Sequence, residues 1–413
     1  MDAQPPETAA ANSGNHGLAR ILVLMAAGGL VTWDSRASDC ACPGAVHASA
    51  IGAAASAVRI FRQTAAAMRS IACLVIVLFL SGCSREPAAQ QFDGDTMGTT
   101  YSITITRLPE GIGRDALQRV VDGVLDEVNR HLSTYDPTSE ISAFNASRST
   151  DAIVVSPQLR TVVALAAEVS AASGGAFDIT VGPLVRAWGF GSGQGAASPV
   201  APSALDTAPA ALGGTRESTG YQKLELPADE HTLRKAAPAL ELDVDGIAPG
   251  YAVDLIAGRF EALGVRDYLV ELGGELRARG RSPAGRPWRV AVEAPLRGER
   301  KPYTLVELDG MSASTSGDYR DFRVVGGRRV SHTIDPRTGA PVTHGLASVC
   351  VLSPSAARAD AWATALMVLG PEDGLALARR HGLAALFIER DVAGAGYKER
   401  STLEFERLRR PLD

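Results

Sequence analysis

Two oxygen-bearing side chains interrupt an otherwise apolar, helix-favouring stretch at Ala359–Gly370. Asp360 and Thr364 are four residues apart, so on a helix they share one face about one turn apart. The surrounding Ala, Leu and Met predict a buried helix, where an unpaired carboxylate is costly. Either Asp360 caps the helix and Thr364 bonds back to a carbonyl, or both oxygens hold a hard cation such as Mg²⁺. The two residues alone favour the cap.

Length and charge narrow the class of protein. The chain has 413 residues and a formal net charge of −5, which fits one large domain or two smaller ones. Because there is no strong basic field, nucleic acid is not expected as a partner. The substrate is therefore expected to be a small molecule or another protein.

The N-terminal part has the pattern of a secretory signal. Residues 1–67 show no steady period and are interpreted as a non-native or disordered leader, with Met68 as the expected start. Residues 68–83 combine a basic start, the short apolar run Ile71–Leu80 and small residues, which is typical of a signal peptide. That run is too short to span a bilayer as a stable helix.

The end of this signal, L-S-G-C, resembles the bacterial lipobox, in which the cysteine becomes the lipidated first residue. We therefore expect lipidation at Cys83, a tether at 84–91 and a domain at 92–413. The expected location is that of an exported bacterial lipoprotein at the periplasmic face of a membrane. Only Cys83 and Cys350 would remain after processing, so no structural disulfide is expected.

Periodicity beyond the tether predicts helices and strands in irregular order, which indicates an α+β fold with mixed or antiparallel sheets. Leu132–Asn145 is predicted to be a structured loop, and 192–219, rich in Ala, Pro, Ser and Gly, a mobile insertion. Helical spacing predicts helices at Ala116–His131 and Gln158–Ser173. A further helix is predicted after Asp245–Asp254 and ends at about Leu263. Strand patterns cover Thr99–Thr106, Leu240–Val244, Tyr268–Leu272, Trp288–Glu293, Leu305–Leu308, Ser312–Thr315, Phe322–Val325, Ser348–Leu352 and Ala384–Ile388.

Eight short motifs, none distinctive alone, follow one another along the chain. They are M-G-T-T-Y at Met97, S-T-Y at Ser133, F-D-I-T-V-G-P-L-V-R-A-W-G-F-G at Phe177, D-V-D-G-I-A-P-G-Y-A-V-D at Asp243, Y-L-V-E-L-G-G-E at Tyr268, T-S-G-D-Y-R at Thr315, S-H-T-I-D-P-R-T-G at Ser331 and A-D-A-W-A-T at Ala359. In this order they resemble the FAD:protein FMN transferase (ApbE-type) family, from Phe92 almost to the C-terminus. The lipobox is similar to that of many exported members.

The resemblance implies a T-fold-like, single large catalytic unit and a Mg²⁺-dependent reaction. FAD is the substrate, a Ser or Thr hydroxyl of an acceptor protein attacks the FMN-side phosphorus, and AMP leaves. By resemblance, the metal ligands are the Asp360 and Thr364 side chains and a backbone carbonyl near Gly246, with waters and the diphosphate completing the shell. Ala363 stands where some members have a second Asp, which leaves fewer acidic ligands.

A hydroxyl nucleophile must lose its proton, and His is the usual base near neutral pH. His332 in S-H-T-I-D-P is the candidate; the alternative is a strand histidine that is satisfied by a backbone carbonyl. Asp335, three residues on, could orient the ring or a backbone turn. His344 and His381 lack such context and are expected at the surface.

Flavin binding requires an apolar surface and a few placed polar groups. Trp188 and Phe190 are expected in the core rather than against the ring, and no G-x-G-x-x-G fingerprint supports a Rossmann domain. At Pro249 the family commonly has Lys or Glu, and Pro supplies neither charge nor N–H. The positions that match the family's flavin site are Met97, Tyr135, Ala176, Phe177, Asp178, Asp243, Pro249 and Ile334.

One segment is similar to the acceptor motif itself. Asp309–Thr315 reads D-G-M-S-A-S-T, with Ser314 where that motif has Ala. Because it continues into the family's own T-S-G-D-Y, we expect a buried strand and no self-flavinylation. Two other functions stay open: a Mg²⁺-dependent FAD pyrophosphatase that gives FMN and AMP, and a non-catalytic flavin-binding lipoprotein.

Overall fold

The computed structural model describes residues 89–191, 217–229, 231–319, 321–325, 327–391 and 396–412, which all belong to one compact unit. The predicted leader, the signal peptide with Cys83, tether residues 84–88 and insertion residues 192–216 lie outside the described residues. Within the described ranges, no helix is long and apolar enough to cross a membrane.

Helices and strands alternate irregularly, which confirms the α+β prediction. The helices are α1 (Arg114–Leu132), α2 (Glu140–Ala146), α3 (Pro157–Ala172), α4 (Gly182–Ala187), α5 (Ala248–Ala262), α6 (Ala356–Arg380) and α7 (Leu403–Leu408). The strands are β1 (Gln90–Thr96), β2 (Thr99–Ile105), β3 (Ile153–Val154), β4 (Leu224–Glu225), β5 (Thr232–Lys235), β6 (Tyr268–Leu272), β7 (Glu275–Arg279), β8 (Trp288–Glu293), β9 (Pro302–Leu308), β10 (Met311–Gly317), β11 (Phe322–Val325), β12 (Arg328–Ser331), β13 (Ile334–Asp335), β14 (Ala340–Pro341), β15 (Leu346–Ser353), β16 (Ala384–Arg390), β17 (Tyr397–Ser401) and β18 (Arg409–Arg410).

An eight-stranded sheet in the order β1-β2-β6-β7-β10-β15-β16-β17 forms the centre of the molecule. Each of its ladders is antiparallel. Helices α1, α5 and α6 share an apolar core with one face of the sheet. On the other face, β8, β9 and Phe405 of α7 share a second core with it.

Strand β10 contributes to both faces because side chains alternate along a strand. Ala313 belongs to the second core, and Thr315 lies opposite Cys350 of the same core. Ser314 and Ser316 point the other way, since they bond to Glu275 and to Thr364 of α6 respectively. Thr315 is only 3% exposed, and Ser312–Thr315 of the acceptor-like segment form a buried part of β10, as predicted; Asp309 and Gly310 precede the strand.

Most predicted elements occur within a few residues of their expected bounds, but two predictions were wrong. Leu240–Val244 is not a strand; instead, the Asn145 amide accepts from the N–H of Leu242 at 2.7 Å and donates to its carbonyl at 2.8 Å. The loop predicted at Leu132–Asn145 contains all of α2 except its last residue, and the first turn of this helix is capped by the Ser139 hydroxyl. In addition, β1 begins at Gln90, inside the range expected to be tether.

A separate hairpin, β11–β12, carries the chain towards His332. It is followed by the small β13–β14 ladder. These pieces share a third apolar cluster, in which Trp188 and Phe190 are buried as predicted. The central sheet and the hairpin therefore supply two groups of candidate residues from different parts of the fold.

Candidate functional site

The N-termini of α5 and α6 meet in close backbone contact. A Cβ atom at Gly250 would lie 2.5 Å from the Ala356 carbonyl oxygen, so only glycine permits this approach. Ser355 is the N-cap of α6, and Asp254 of α5 accepts hydrogen bonds from the N–H groups of Ala356 and Ala357 at 2.9 and 3.0 Å. This cap fixes the first turn of α6 and thereby the position of Asp360.

Asp360 is the central group of the site. It is 2% exposed, and Oδ2 accepts one hydrogen bond from Gly250 N–H at 3.3 Å. No Lys or Arg among the described residues forms an ion pair with it. Burial raises its pKa to about 8, an effect that the Gly250 hydrogen bond only partly opposes. The cap predicted as its alternative role was wrong, because Ser355 and Asp254 perform that function.

A second buried carboxyl group that lacks a hydrogen-bond partner for one oxygen, that of Glu275, lies near Asp360. Glu275 is fully buried; Oε1 accepts from the Ser314 hydroxyl at 3.2 Å, whereas Oε2 has no partner. Burial first and the Asp360 charge second raise its pKa well above the usual value. Among the described residues, no cluster of three or more His, Cys, Asp or Glu side chains could hold a metal ion. A cation site here would therefore depend on mixed carboxylate, hydroxyl and carbonyl oxygens.

Thr364 and Gly246 lie next to each other, as the predicted ligand set requires. A Cβ atom at Gly246 would be 3.1 Å from Thr364 Oγ1 and 3.4 Å from the Phe177 ring. The Ser316 hydroxyl lies 3.3 Å from Thr364 Oγ1. Three predicted site residues, Phe177, Gly246 and Thr364, thus converge at one point of α6.

Further acidic groups lie on the loop before α5. Asp243 Oδ1 accepts from the Asp245 N–H at 3.1 Å, and the Tyr135 hydroxyl lies 3.5 Å from Asp245 Oδ2. Desolvation of the carboxyl group, then the Asp243 charge and more weakly that of Asp360, raise the pKa of Asp245. The residue as a whole is exposed at the surface, so solvent screens these charges and moderates the shift. Burial, then Asp245 and Asp243, raise the pKa of Tyr135.

His332 follows β12 directly. Its Nδ1 lies 2.8 Å from the Asp321 carbonyl oxygen, and its ring meets that of Phe190 edge-on at a centroid distance of 6.4 Å. A carbonyl can only accept, so Nδ1 carries the proton and Nε2 of the neutral ring is free to accept one. Asp335 does not orient this ring; its carboxylate accepts from Arg337 N–H and guanidinium.

The other two histidines differ in their surroundings. His344 was expected at the surface, but it is half-buried, with Nε2 3.4 Å from the Val368 carbonyl. It fills the space beside Gly370, where α6 is broken before Pro371. His381 is exposed, as predicted, and its ring lies 5.2 Å from that of Trp362.

The remaining predicted flavin positions lie on several different elements. Asp178 is buried, and its two oxygens accept from Thr180 and from the Tyr221 N–H, so it ties two chain segments together. Burial raises its pKa, against these hydrogen bonds. The other positions are Met97 in the β1–β2 turn with φ 49°, buried Ala176, Pro249 in the first turn of α5, and buried Ile334 in the third cluster.

Sequence reasoning missed Asp254, Glu275 and Asn145. Asp254 is the last residue of D-V-D-G-I-A-P-G-Y-A-V-D, and a helix cap supplied by another helix leaves no local pattern. Glu275 did carry a signal, since it is a carboxylate directly after Gly-Gly in an apolar stretch. Asn145 ended a predicted loop, and its long-range partner could not be inferred from spacing.

The raised pKa of Asp360 predicts how stability depends on pH without divalent ions. The carboxyl titrates near 3.9 in an unfolded chain and near 8 in the fold, so between these values the folded chain holds the additional proton. The free energy of unfolding therefore falls as pH rises through this window. Urea denaturation in EDTA at several pH values between 5 and 8 measures it. Asp360→Asn should have a flatter profile; an identical slope would contradict the assignment.

Comparisons with known proteins identify the family of this chain. A model of the ApbE family matches residues 97–387. The FAD:protein FMN transferase of Vibrio cholerae is 38% identical over 333 residues, which cover 81% of this chain and 96% of that protein. That of Salmonella typhimurium is 38% identical over 348 residues, covering 81% and 95%.

A solved structure gives the same result. The apo form of the Pseudomonas stutzeri flavinyl transferase ApbE superposes with a TM-score of 0.69 and 45% identity, over 78% of this chain and 96% of that one. The family match covers more than half of this chain, and the relatives are covered almost completely. The chain therefore belongs to the ApbE family and is an enzyme of the flavin transferase type.

Proposed function

We propose that this protein transfers FMN from FAD to a Ser or Thr hydroxyl of an acceptor protein in a Mg²⁺-dependent reaction that releases AMP. The observation that carries the proposal is a buried Asp360 without a cationic partner among the described residues, one helical turn before Thr364, which itself lies against Gly246 next to the Phe177 ring. The family relatives support flavin transfer itself; the metal, the hydroxyl acceptor and AMP are the finer parts of the proposal.

The residues present fit a hard divalent cation. Asp360 has no cationic partner among the described residues, and Glu275 Oε2 is buried without a hydrogen bond. Two buried carboxyl groups therefore lack a positive charge that would stabilise their ionised forms. The Asp360 carboxylate, the Thr364 hydroxyl and a carbonyl near Gly246 are the oxygen donors that Mg²⁺ prefers. When bound, Mg²⁺ would neutralise charge on the phosphate oxygens during phosphoryl transfer.

His332 supplies the base. Its Nδ1–H donates to the Asp321 carbonyl, which orients the ring and leaves Nε2 to take the proton of the acceptor hydroxyl. The hydroxyl oxygen then bonds to the FMN-side phosphorus while the bond to the AMP phosphate breaks. The acceptor thus gains FMN through a phosphodiester, and AMP leaves with the bridging oxygen.

The remaining predicted positions would bind the flavin part of FAD. Phe177 beside Gly246 offers an apolar wall next to the proposed metal ligands, and Tyr135 is a half-exposed aromatic ring near the loop carboxylates. Both oxygens of Asp178 already accept hydrogen bonds, so we propose that it shapes this wall rather than contacts the ring.

Export and lipid attachment are proposed from the sequence. The signal-like residues 68–83 and L-S-G-C support a mature protein that begins with lipidated Cys83. Such an anchor would hold the catalytic domain at the periplasmic face of a membrane, where its acceptor proteins would have to be exposed. Mass spectrometry of the native N-terminus tests this; a mature chain that keeps residues before Met68 would contradict it.

The experiment that separates transfer from pyrophosphatase action follows both products. Purified protein is incubated with FAD, Mg²⁺ and a candidate acceptor, and covalent FMN is measured by mass spectrometry beside free FMN. Adducts on the acceptor that exceed free FMN support transferase action; free FMN alone would mean a pyrophosphatase, and bound FAD without either product a flavin carrier.

Because Thr315 is 3% exposed within β10, no FMN adduct is expected there in the same experiment. A matched sample of the Thr315→Ser variant keeps a hydroxyl at this position, and it should also remain unmodified. An FMN-sized mass on peptide 309–315 would contradict the assignment of this segment as an inaccessible strand.

A further inference from the structure

An ion network centred on one buried carboxylate lies between the central sheet and the hairpin that leads to His332. Asp318, one residue beyond β10, is 4% exposed. Its carboxylate pairs with Arg390 at the end of β16 through both oxygens. Arg329 of β12 donates from Nε to Oδ2 at 3.3 Å and from a terminal nitrogen to the Asp318 carbonyl.

The guanidinium of Arg329 also stacks on the hairpin itself. It lies 3.4 Å from the centroid of the Phe322 ring, and Phe322 pairs across the hairpin with Ser331. Arg329 therefore joins both strands of the hairpin to Asp318. Arg390 links Asp318 to the central sheet, because one of its terminal nitrogens also lies 3.4 Å from the Leu346 carbonyl oxygen of β15.

His332 depends on the same segment at two points. It follows Ser331, the last residue of β12, and its Nδ1 donates to the carbonyl of Asp321, three residues after Asp318. Ser316, two residues before Asp318 near the end of β10, contacts Thr364. Asp318 thus lies between the two groups of the site.

We propose that Asp318 is a positioning residue for the transfer reaction, whose carboxylate, bound between Arg390 and Arg329, fixes the β11–β12 hairpin and with it the placement of His332 relative to Asp360 and Thr364. This inference rests on the proposed function. A purely stabilising ion pair is the simpler alternative, but buried pairs contribute little net stability compared with apolar packing. An error of about 1 Å in a reacting group can cost about a hundredfold in rate.

The variant Asp318→Asn keeps the size of the side chain and removes its charge, which leaves Arg390 and Arg329 without their shared partner. We expect kcat for FMN transfer to fall about a hundredfold while KM for FAD changes less than about threefold. Glu389→Gln is the matched control, since it removes the neighbouring carboxylate, whose partner is Arg400 at 2.8 Å and which contacts no described residue of the hairpin. Its kcat should stay within about twofold.

A double-mutant cycle separates positioning from general destabilisation. In a His332→Ala background, Asp318→Asn should cost less than about twofold in the remaining rate, because the group it positions is already absent. An equal loss in both backgrounds would show a role unrelated to His332 and overturn the proposal.

A measurement without substrate keeps this test independent of the proposed function. In ¹⁵N-histidine-labelled protein, the imidazole nitrogen signals of His332 should shift in Asp318→Asn and stay in place in Glu389→Gln. Unchanged signals in Asp318→Asn would refute the positioning role, whereas absence of FMN transfer by the wild-type protein would refute the proposed function alone. If Asp318→Asn does not fold, Arg329→Lys, which leaves the Asp318–Arg390 pair intact, should shift the same signals, and no shift would overturn the proposal.

Discussion

Asp360→Asn is expected to abolish Mg²⁺-dependent FMN transfer, with a loss of roughly a thousandfold, equivalent to about 4 kcal/mol of transition-state stabilisation. The amide is nearly isosteric and can still accept from Gly250 N–H, but it provides no charge for a divalent cation. The fold should be retained, because the neutral amide avoids the burial penalty of the carboxylate. Transfer to the acceptor is measured over a range of Mg²⁺ concentrations.

Two controls make this result specific. Asp126→Asn changes an exposed carboxylate on α1 and should leave the rate and the Mg²⁺ dependence as in the wild type. The midpoint of thermal unfolding in EDTA should be no lower for Asp360→Asn than for the wild type. Undiminished Mg²⁺-dependent turnover in Asp360→Asn would exclude Asp360 as the ligand of an essential cation.

His332→Ala should slow FMN transfer by about 10²–10⁴-fold, the usual contribution of a general base. The dissociation constant for FAD should change far less, because the ring acts on the acceptor hydroxyl rather than on the flavin. Single-turnover kinetics with saturating FAD measure the chemical step, and equilibrium titration of flavin fluorescence measures binding.

The control variant for this prediction is His231→Ala, which changes an exposed histidine directly before β5. It should alter neither quantity. If His332→Ala weakened FAD binding as much as it slowed transfer, His332 would be a binding residue and the base would have to be sought elsewhere.

Local patterns predicted much of this fold. The spacing of apolar residues located α1 and α3, and alternation located most strands of the central sheet, because these signals depend only on which face is buried. The helix-favouring composition of Ala359–Gly370 located the first part of α6. The segment at Leu240–Val244 shows where this reasoning stops. Its apolar alternation is real, yet the Asn145 side chain replaces the neighbouring strand that a ladder would need.

The candidate site was predictable to a similar extent. The resemblance placed Asp360, Thr364 and Gly246 in one set, and the structure brings Thr364 and Gly246 together. What the sequence could not supply were the long-range contacts that hold this set, such as Asp254 on the first turn of α6. These contacts join residues about one hundred positions apart, and no local period encodes them.

The alternation along β10 has a consequence for engineering this enzyme. Ala313 and Thr315 face the second core, while Ser314 and Ser316, their immediate neighbours, touch Glu275 and Thr364. A change of side-chain volume at Ala313 or Thr315 shifts the backbone of β10, because close-packed interiors transmit strain. That shift also moves Ser314 and Ser316 on the opposite face. Directed-evolution libraries confined to the proposed metal ligands and flavin positions would miss Ala313 and Thr315, two buried positions through which the placement of Ser314 and Ser316 can be tuned.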